Sequence, residues 1–314
     1  MENIPSNIKN LLEERVRCNF RLSQLPYDGT PEIKDRNGKQ YLYIRKRIAG
    51  KLTSKYVDVF SEELYELLLK NNTERKDLNK QIRAINKQLL ELGFNEDKLS
   101  LQVMNNIDLA RSNIKNLIYS QAVLEGVGAT FPQTEDIIEN GIIHNVSTQD
   151  VQKILNLKHA WEFILDEATI QYPTDYSIYS AIAKIINEGF LYNGGNARTL
   201  AVKISGTSYV PPIPDVENIK DSINKILNKK TSYARRATEL CMFCMKSQVF
   251  QDGNKRAAVI LTNHFLISHG AGLLVIEEDN IKKFKELLID YYEDINKDIL
   301  KFLSEKCILT PKHT

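Results

Sequence analysis

Apolar residues recur at alternating four- and three-residue steps over long stretches of this chain, and that period is satisfied by helices and by little else. Leu78, Ile82, Ile85, Leu89 and Leu92 make one such seam, which predicts a helix from about Glu74 to Leu92 with Gly93 as its cap. After FNEDKLS, the residues Val103, Ile107, Ala110, Ile114 and Leu117 make a second seam, predicting one helix over about 100–126 that Gly126-Val127-Gly128 stops. Two seams and a short connection predict an antiparallel helical hairpin. Further helical patterns run from Ser147-Thr148 to about Asp166, and over Asp175–Glu188, Val216–Asn228, Ser232–Lys246, Asn254–Ser268 and Asn280–Tyr292. The clearest β signal is residues 40–60, read as a hairpin turning at Ala49-Gly50-Lys51. LAVKISGTSYVPPIP predicts a short flap-like hairpin around Gly206. The expected fold is mainly α with small β decorations. Its parts are an N-terminal extension over 1–97 and a larger helical domain over 98–314.

Composition narrows the class. Of 314 residues, 42% are hydrophobic and 26% charged, ordinary for a globular chain. No run approaches the ~18 apolar residues of a membrane helix. The first twenty residues lack the apolar core and small-residue cleavage site of a signal peptide. Cys18, Cys241, Cys244 and Cys307 do not make a disulfide framework in a chain this long, so a cytoplasmic protein is expected. Cys241 and Cys244 form a Cys-x-x-Cys inside an apolar helical run, with no partners for zinc, and read as core residues. The net charge of +2 by itself does not argue for a nucleic-acid partner. One stretch is locally basic: Lys34, Arg36, Lys39, Arg45, Lys46, Arg47, Lys51 and Lys55, interleaved with Tyr41, Tyr43 and Tyr56. It reads as a solvated hairpin face or, alternatively, as a grip on a nucleic-acid backbone. The seams read as intramolecular packing, with a homodimer left open.

The segment QVFQDGNKRAAV, Gln248–Val259, concentrates chemistry. Gly253 permits close backbone approach to a ligand. Asn254 opens a helix, whose free N–H groups and dipole make an anion site. Lys255 and Arg256 add positive charge, and a guanidinium can hold phosphate oxygens in pairs. Asp252 is a hard oxygen ligand placed where Mg²⁺ would accompany a phosphate. On residue types alone, an ordinary loop–helix junction with a solvated Lys-Arg pair is the favoured reading over a nucleotide site.

Order and spacing favour the nucleotide site. The segment resembles the signature of the Fic family, His-Pro-Phe-x-Asp/Glu-Gly-Asn-Gly/Lys-Arg, through Phe250, Asp252, Gly253, Asn254, Lys255 and Arg256. Gly195-Asn196-Ala197-Arg198, followed by VKISGTSYVPP, is similar to that family's Gly-x-x-Arg turn and substrate-aligning flap. SQAVLEG resembles its inhibitory helix motif. The resemblance covers roughly residues 100–305. It implies an all-helical core that binds ATP with Mg²⁺ and transfers AMP to a hydroxyl of a protein target, the reaction called AMPylation. It further implies Asp252 as the Mg²⁺ ligand, with Gly253, Asn254 and Lys255 cradling the phosphates. Arg256 would hold the outer phosphates, and Lys203, Ile204, Ser205 and Gly206 would dock the target by strand pairing. Glu125, followed by Gly126, would be the inhibitory glutamate.

Three departures qualify these expectations. Gln248 occupies the position of the family's catalytic histidine, and Val249 that of its proline. A carboxamide is not basic near neutral pH, so transfer should be weak or lost. Val259 stands where many relatives carry a second arginine, and Gln121 where the inhibitory motif has Ser or Thr, so autoinhibition through Glu125 lacks its usual partners. His159, His264, His269, His144 and His313 read as satisfied or surface histidines, and Ser247 would itself need activation. A weakened adenylyltransferase, a nucleotide-sensing pseudoenzyme and a nucleic-acid-associated regulator all remain open.

Overall fold

The computed structural model describes residues 5–48, 51–94, 99–141, 143 and 145–311. They form two compact units, Met1–Asp97 and Lys98–Thr314.

The first unit comprises α1 (Ser6–Gln24), β1 (Thr30–Arg36), β2 (Lys39–Ile48), β3 (Lys51–Val59) and α2 (Glu62–Glu91). The hairpin expected at 40–60 is β2–β3, and its turn at Ala49-Gly50 lies outside the described residues. The sheet has a third, edge strand that the sequence reading missed, because TPEIKDR is polar and carries Pro31. Leu42 and Ile44 turn to the core with Leu68 of α2, flanked by Tyr27, Val57, Phe60, Leu64 and Tyr65. The expected helix at 74–92 begins twelve residues earlier. The Ser61 hydroxyl caps it by accepting from the Leu64 N–H, and Glu62 and Glu63 sit in its positive first turn. Of its seam, Leu78, Ile85 and Leu89 are buried, whereas Leu92 is 44% exposed past the helix end.

The expected helical hairpin has a different partner. Within this unit α2 runs antiparallel to α1, joined by Arg15–Asn86, Cys18–Gln81 and the two-pronged Arg21–Glu74 pair. Residues 101–124 belong to the second unit. Ile8, Leu12 and Val16 are buried at four-residue spacing on α1, a helix not foreseen because charges interrupt the pattern.

The second unit holds α3 (Leu101–Ser112), α4 (Ile114–Leu124), α5 (Phe131–Asn140), α6 (Thr148–Ile164), α7 (Glu167–Ile170), α8 (Tyr176–Ile186), α9 (Val216–Leu227), α10 (Tyr233–Ser247), α11 (Asn254–Ser268), β4 (Leu273–Leu274), α12 (Glu278–Tyr292), α13 (Asp298–Lys306) and β5 (Ile308–Leu309). The single helix expected over 100–126 is thus two. The Asn113 amide donates to the Leu109 carbonyl, a local bond that competes with helix continuation, and the chain resumes as α4. Helix α5, also unforeseen, opens on a reciprocal Thr130–Gln133 capping box.

Helix α11 is the axis of this unit. Every residue from Arg256 to Ile267 is buried, as expected of a helix that is apolar all round. Two of its buried polar side chains are fully engaged: Asn263 bonds both backbone groups of Leu274, and His264 meets Thr174 Oγ1 at 2.8 Å and the Thr169 carbonyl at 2.9 Å. Burial pushes the His264 pKa down to about 4, with Asp175 and His269 as its nearby charges. Since the folded value lies below the unfolded one, the unfolded chain binds the extra proton between about pH 6.5 and 4. Stability should therefore fall as pH drops through that window, by up to about 3 kcal/mol from this residue. Urea midpoints at pH 7.5 and 4.5, compared with those of His264→Asn, measure it. An equal acid loss in the variant would assign the effect elsewhere. Among the described residues, no helix is long and apolar enough to cross a membrane. All four cysteines are buried thiols.

Candidate functional site

The loop between α10 and α11 is built by its own amides. Gln248 ends α10 in the left-handed region at φ 44° and ψ 56°, a conformation that costs a non-glycine residue about 1–2 kcal/mol. Both ends of its side chain are used. Nε2 donates to the Met245 carbonyl at 2.7 Å, and Oε1 accepts from Asn254 Nδ2 at 3.2 Å. Asn254 closes the loop further, accepting from the Phe250 N–H at 2.9 Å and donating to the Phe250 carbonyl at 2.8 Å. The Phe250 ring is wholly buried edge-on to Tyr179, with centroids 4.7 Å apart.

Gly253 sits at φ 77°, and a Cβ there would lie 2.9 Å from Ile186 Cγ2 and 3.3 Å from both amide atoms of Asn187. Asn187, which sequence reading passed over, ties two loops together. Its Nδ2 donates to the carbonyls of Ala183, Gly194 and Asp252. The paired glycines at 194 and 195 were its signal, since a side chain at Gly194 would collide with Asn187 at 2.4 Å. Arg198 is likewise structural. It is buried and donates to the carbonyls of Gln248, Leu200, Pro211 and Pro212.

The flap expected at Lys203–Gly206 is an extended loop with a turn at Ser205-Gly206 and no strand pairing. Prolines 211, 212 and 214 remove the donors a ladder would need. Arg198 pins one side of the loop. On the other, Thr207 and Ser208 bond Glu293, and Tyr209 stacks on Tyr292 at 6.0 Å.

A cleft of about 400 Å³ opens between this loop, the α11 N-terminus and α12. Of the residues singled out by sequence, Glu125, Lys203, Ile204, Ser205, Gln248, Asp252, Gly253, Asn254 and Lys255 line it. Gly126, Gly206 and Arg256 do not. Helix α12 adds Lys285, Leu288, Ile289 and Tyr292, which no motif had marked. Burial, reinforced by Glu125, pushes the Tyr292 hydroxyl pKa up, so it stays protonated and is no base near neutral pH. Three lysines face two carboxylates in the lining, an excess of positive charge suited to an anion.

Behind the lining, Arg256 is 3% exposed. Its Nη2 meets Asp252 at 3.0 Å, while Nε and Nη1 lack hydrogen-bond partners among the described residues. Glu125 lies 3.5 Å from Lys255 Nζ and 4.0 Å from Arg256 Nε, and its Oε1 also makes no hydrogen bond. The glutamate thus meets the two basic residues of the loop itself. Gln121 supports the same junction, donating to the Arg256 carbonyl at 2.8 Å and accepting from Trp161 Nε1 at 3.2 Å. Helix α11 begins with no side-chain cap, so its first N–H groups are open to a ligand. Asp252 is 62% exposed and can offer oxygen to a cation. Among the described residues, no group of three or more His, Cys, Asp or Glu is placed to hold a metal ion.

Residues 167–266, which include this loop and the Gly194–Arg198 turn, match the family model described as Fic/DOC family. The chain carries a Fic domain. Solved structures with the same fold include Fic-1 (residues 134–508) from C. elegans, 18% identical with a TM-score of 0.51, the match covering 76% of this chain and 74% of that one. A Fic domain containing signaling protein from Bacteroides thetaiotaomicron is 20% identical, with a TM-score of 0.54 over 69% of this chain and 90% of that one. A Fic family protein from Desulfovibrio desulfuricans G20 is 14% identical, with a TM-score of 0.53 over 69% and 65%. Identities this low establish the Fic fold alone. Residues 5–66 match a domain of unknown function, DUF6788. A search of curated proteins found no match.

Proposed function

We propose that this Fic-domain protein binds ATP with Mg²⁺ at the Asp252–Arg256 loop, and that AMP transfer to a protein hydroxyl is weak or lost. The observation that carries the reading is Arg256, a buried guanidinium with two nitrogens that make no hydrogen bond, one of them 4.0 Å from Glu125, behind an uncapped helix start. Leaving such donors unpaired costs about 1–3 kcal/mol or more, which phosphate oxygens would relieve. In this reading the N–H groups of Asn254 and Lys255 meet phosphate, Lys255 supplies charge, and Asp252 helps hold Mg²⁺. The metal, when bound, neutralises phosphate charge. Gln248 contributes no base, and its amide is occupied by Met245 and Asn254. Glu125 competes with the nucleotide for Lys255 and Arg256.

Calorimetric titration with ATP and Mg²⁺ tests the reading. Arg256→Ala should weaken binding at least about 30-fold, equivalent to about 2 kcal/mol. Glu125→Gln should tighten it several-fold by releasing the same cations. Absence of binding at millimolar ATP in both wild type and Glu125→Gln would end the proposal.

A further inference from the structure

We propose that the solvent face of the three-stranded sheet in the first unit docks on the phosphate backbone of duplex DNA. Strand alternation sorts the side chains. Leu42 and Ile44 point to the core, so Lys39, Tyr41, Tyr43, Arg45 and Arg47 emerge on the opposite face. Register brings Lys34 opposite Tyr41 and Arg36 opposite Lys39 from β1, and Tyr56 opposite Tyr43 from β3. Five cations therefore share one face with two carboxylates, Glu32 and, beside Tyr56, Asp58. Glu32 is already engaged, 3.5 Å from Lys34 and accepting from the Ser54 hydroxyl, and Asp58 accepts from the Val59 N–H. Arg36, Lys39, Arg45 and Arg47 are exposed and form no salt bridge among the described residues, whereas Lys46 on the inner side pairs with Asp28. A row of uncompensated cations is costly to keep together and complements a polyanion.

The covering of the Tyr43 ring favours duplex over single-stranded nucleic acid. Tyr56 packs against Tyr43 and Tyr41, with centroids 5.6 and 6.2 Å apart. Lys34 lies 4.5 Å above the Tyr43 ring, and the Arg36 guanidinium 5.8 Å from it. A ring covered by cations is poorly placed to stack on an unpaired base. It instead holds the cations in position, which lowers the ordering cost of binding.

The test is fluorescence anisotropy of a short labelled duplex titrated with the full chain between about 50 and 200 mM salt. Four phosphate contacts predict a log–log slope of about −3.6, or about 150-fold weaker binding at the higher salt. Arg45→Ala/Arg47→Ala should halve that slope to about −1.8 while leaving the thermal midpoint and the ATP titration unchanged. Lys87→Ala on α2 should leave the slope as it is. No binding at 50 mM, an unchanged slope in the double variant, or tighter binding to a single strand of equal length would each overturn the proposal. The ATP site takes no part in this experiment, so either result leaves the nucleotide reading standing.

Discussion

Gln248→His should raise AMP transfer by about 100- to 10,000-fold, read as label from ATP appearing on the protein's own hydroxyls. The position lines the cleft at the end of α10, held in the left-handed region. Histidine is among the residues enriched there, so the exchange adds no backbone strain. Glutamine occupies the site as a fixed amide, with Met245 and Asn254 taking its donor and acceptor. An imidazole titrating near pH 6.5 can take a proton from an attacking hydroxyl, which the carboxamide cannot. Transfer should then rise with pH through that pKa as the neutral imidazole forms. A variant that binds ATP as wild type does, yet transfers no more label, would reject AMP transfer as this cleft's latent chemistry and leave nucleotide sensing.

Gly253→Ala should destabilise the protein by about 2–5 kcal/mol and abolish ATP binding in the fraction that folds. Two costs add. A Cβ at φ 77° is strained by about 1–2 kcal/mol. It also meets Ile186 Cγ2 at 2.9 Å and the Asn187 amide at 3.3 Å, and a buried collision costs about 1–3 kcal/mol. Asn187 holds the loop through the Asp252 carbonyl, so relieving the clash moves the loop proposed to bind phosphate. Denaturant midpoints and calorimetry read the two effects separately. A shift below about 0.5 kcal/mol with binding intact would mean that the loop does not need this geometry.

Some of this was legible because it is local. The caps at Ser147, Asp175 and Ser232 mark where α6, α8 and α10 begin, since each hydroxyl or carboxylate bonds N–H groups two or three residues away. The α11 range is readable from Gly253 and the apolar run after it. Motif order identified the loop, and the family match includes it. Helix α1, strand β1 and the division of 101–124 into two helices were not legible, because each depends on a partner distant in sequence or on one side-chain bond at Asn113. The flap misled for a related reason: β-branched residues suggested a hairpin, but Arg198 and the prolines hold an extended loop.

What the sequence determined by itself is the set of short-range consequences: helical period, caps, the left-handed glycine, and a side chain at Gln248 that is no base. These need only neighbouring atoms. Tertiary structure decided which groups meet. It set Glu125 beside Lys255 and Arg256, threaded Asn187 between two loops, and brought α12 to the cleft. It also left the Arg256 guanidinium buried and partly unpaired. Burial and charge proximity are properties of distance in space, and no spacing along the chain encodes them.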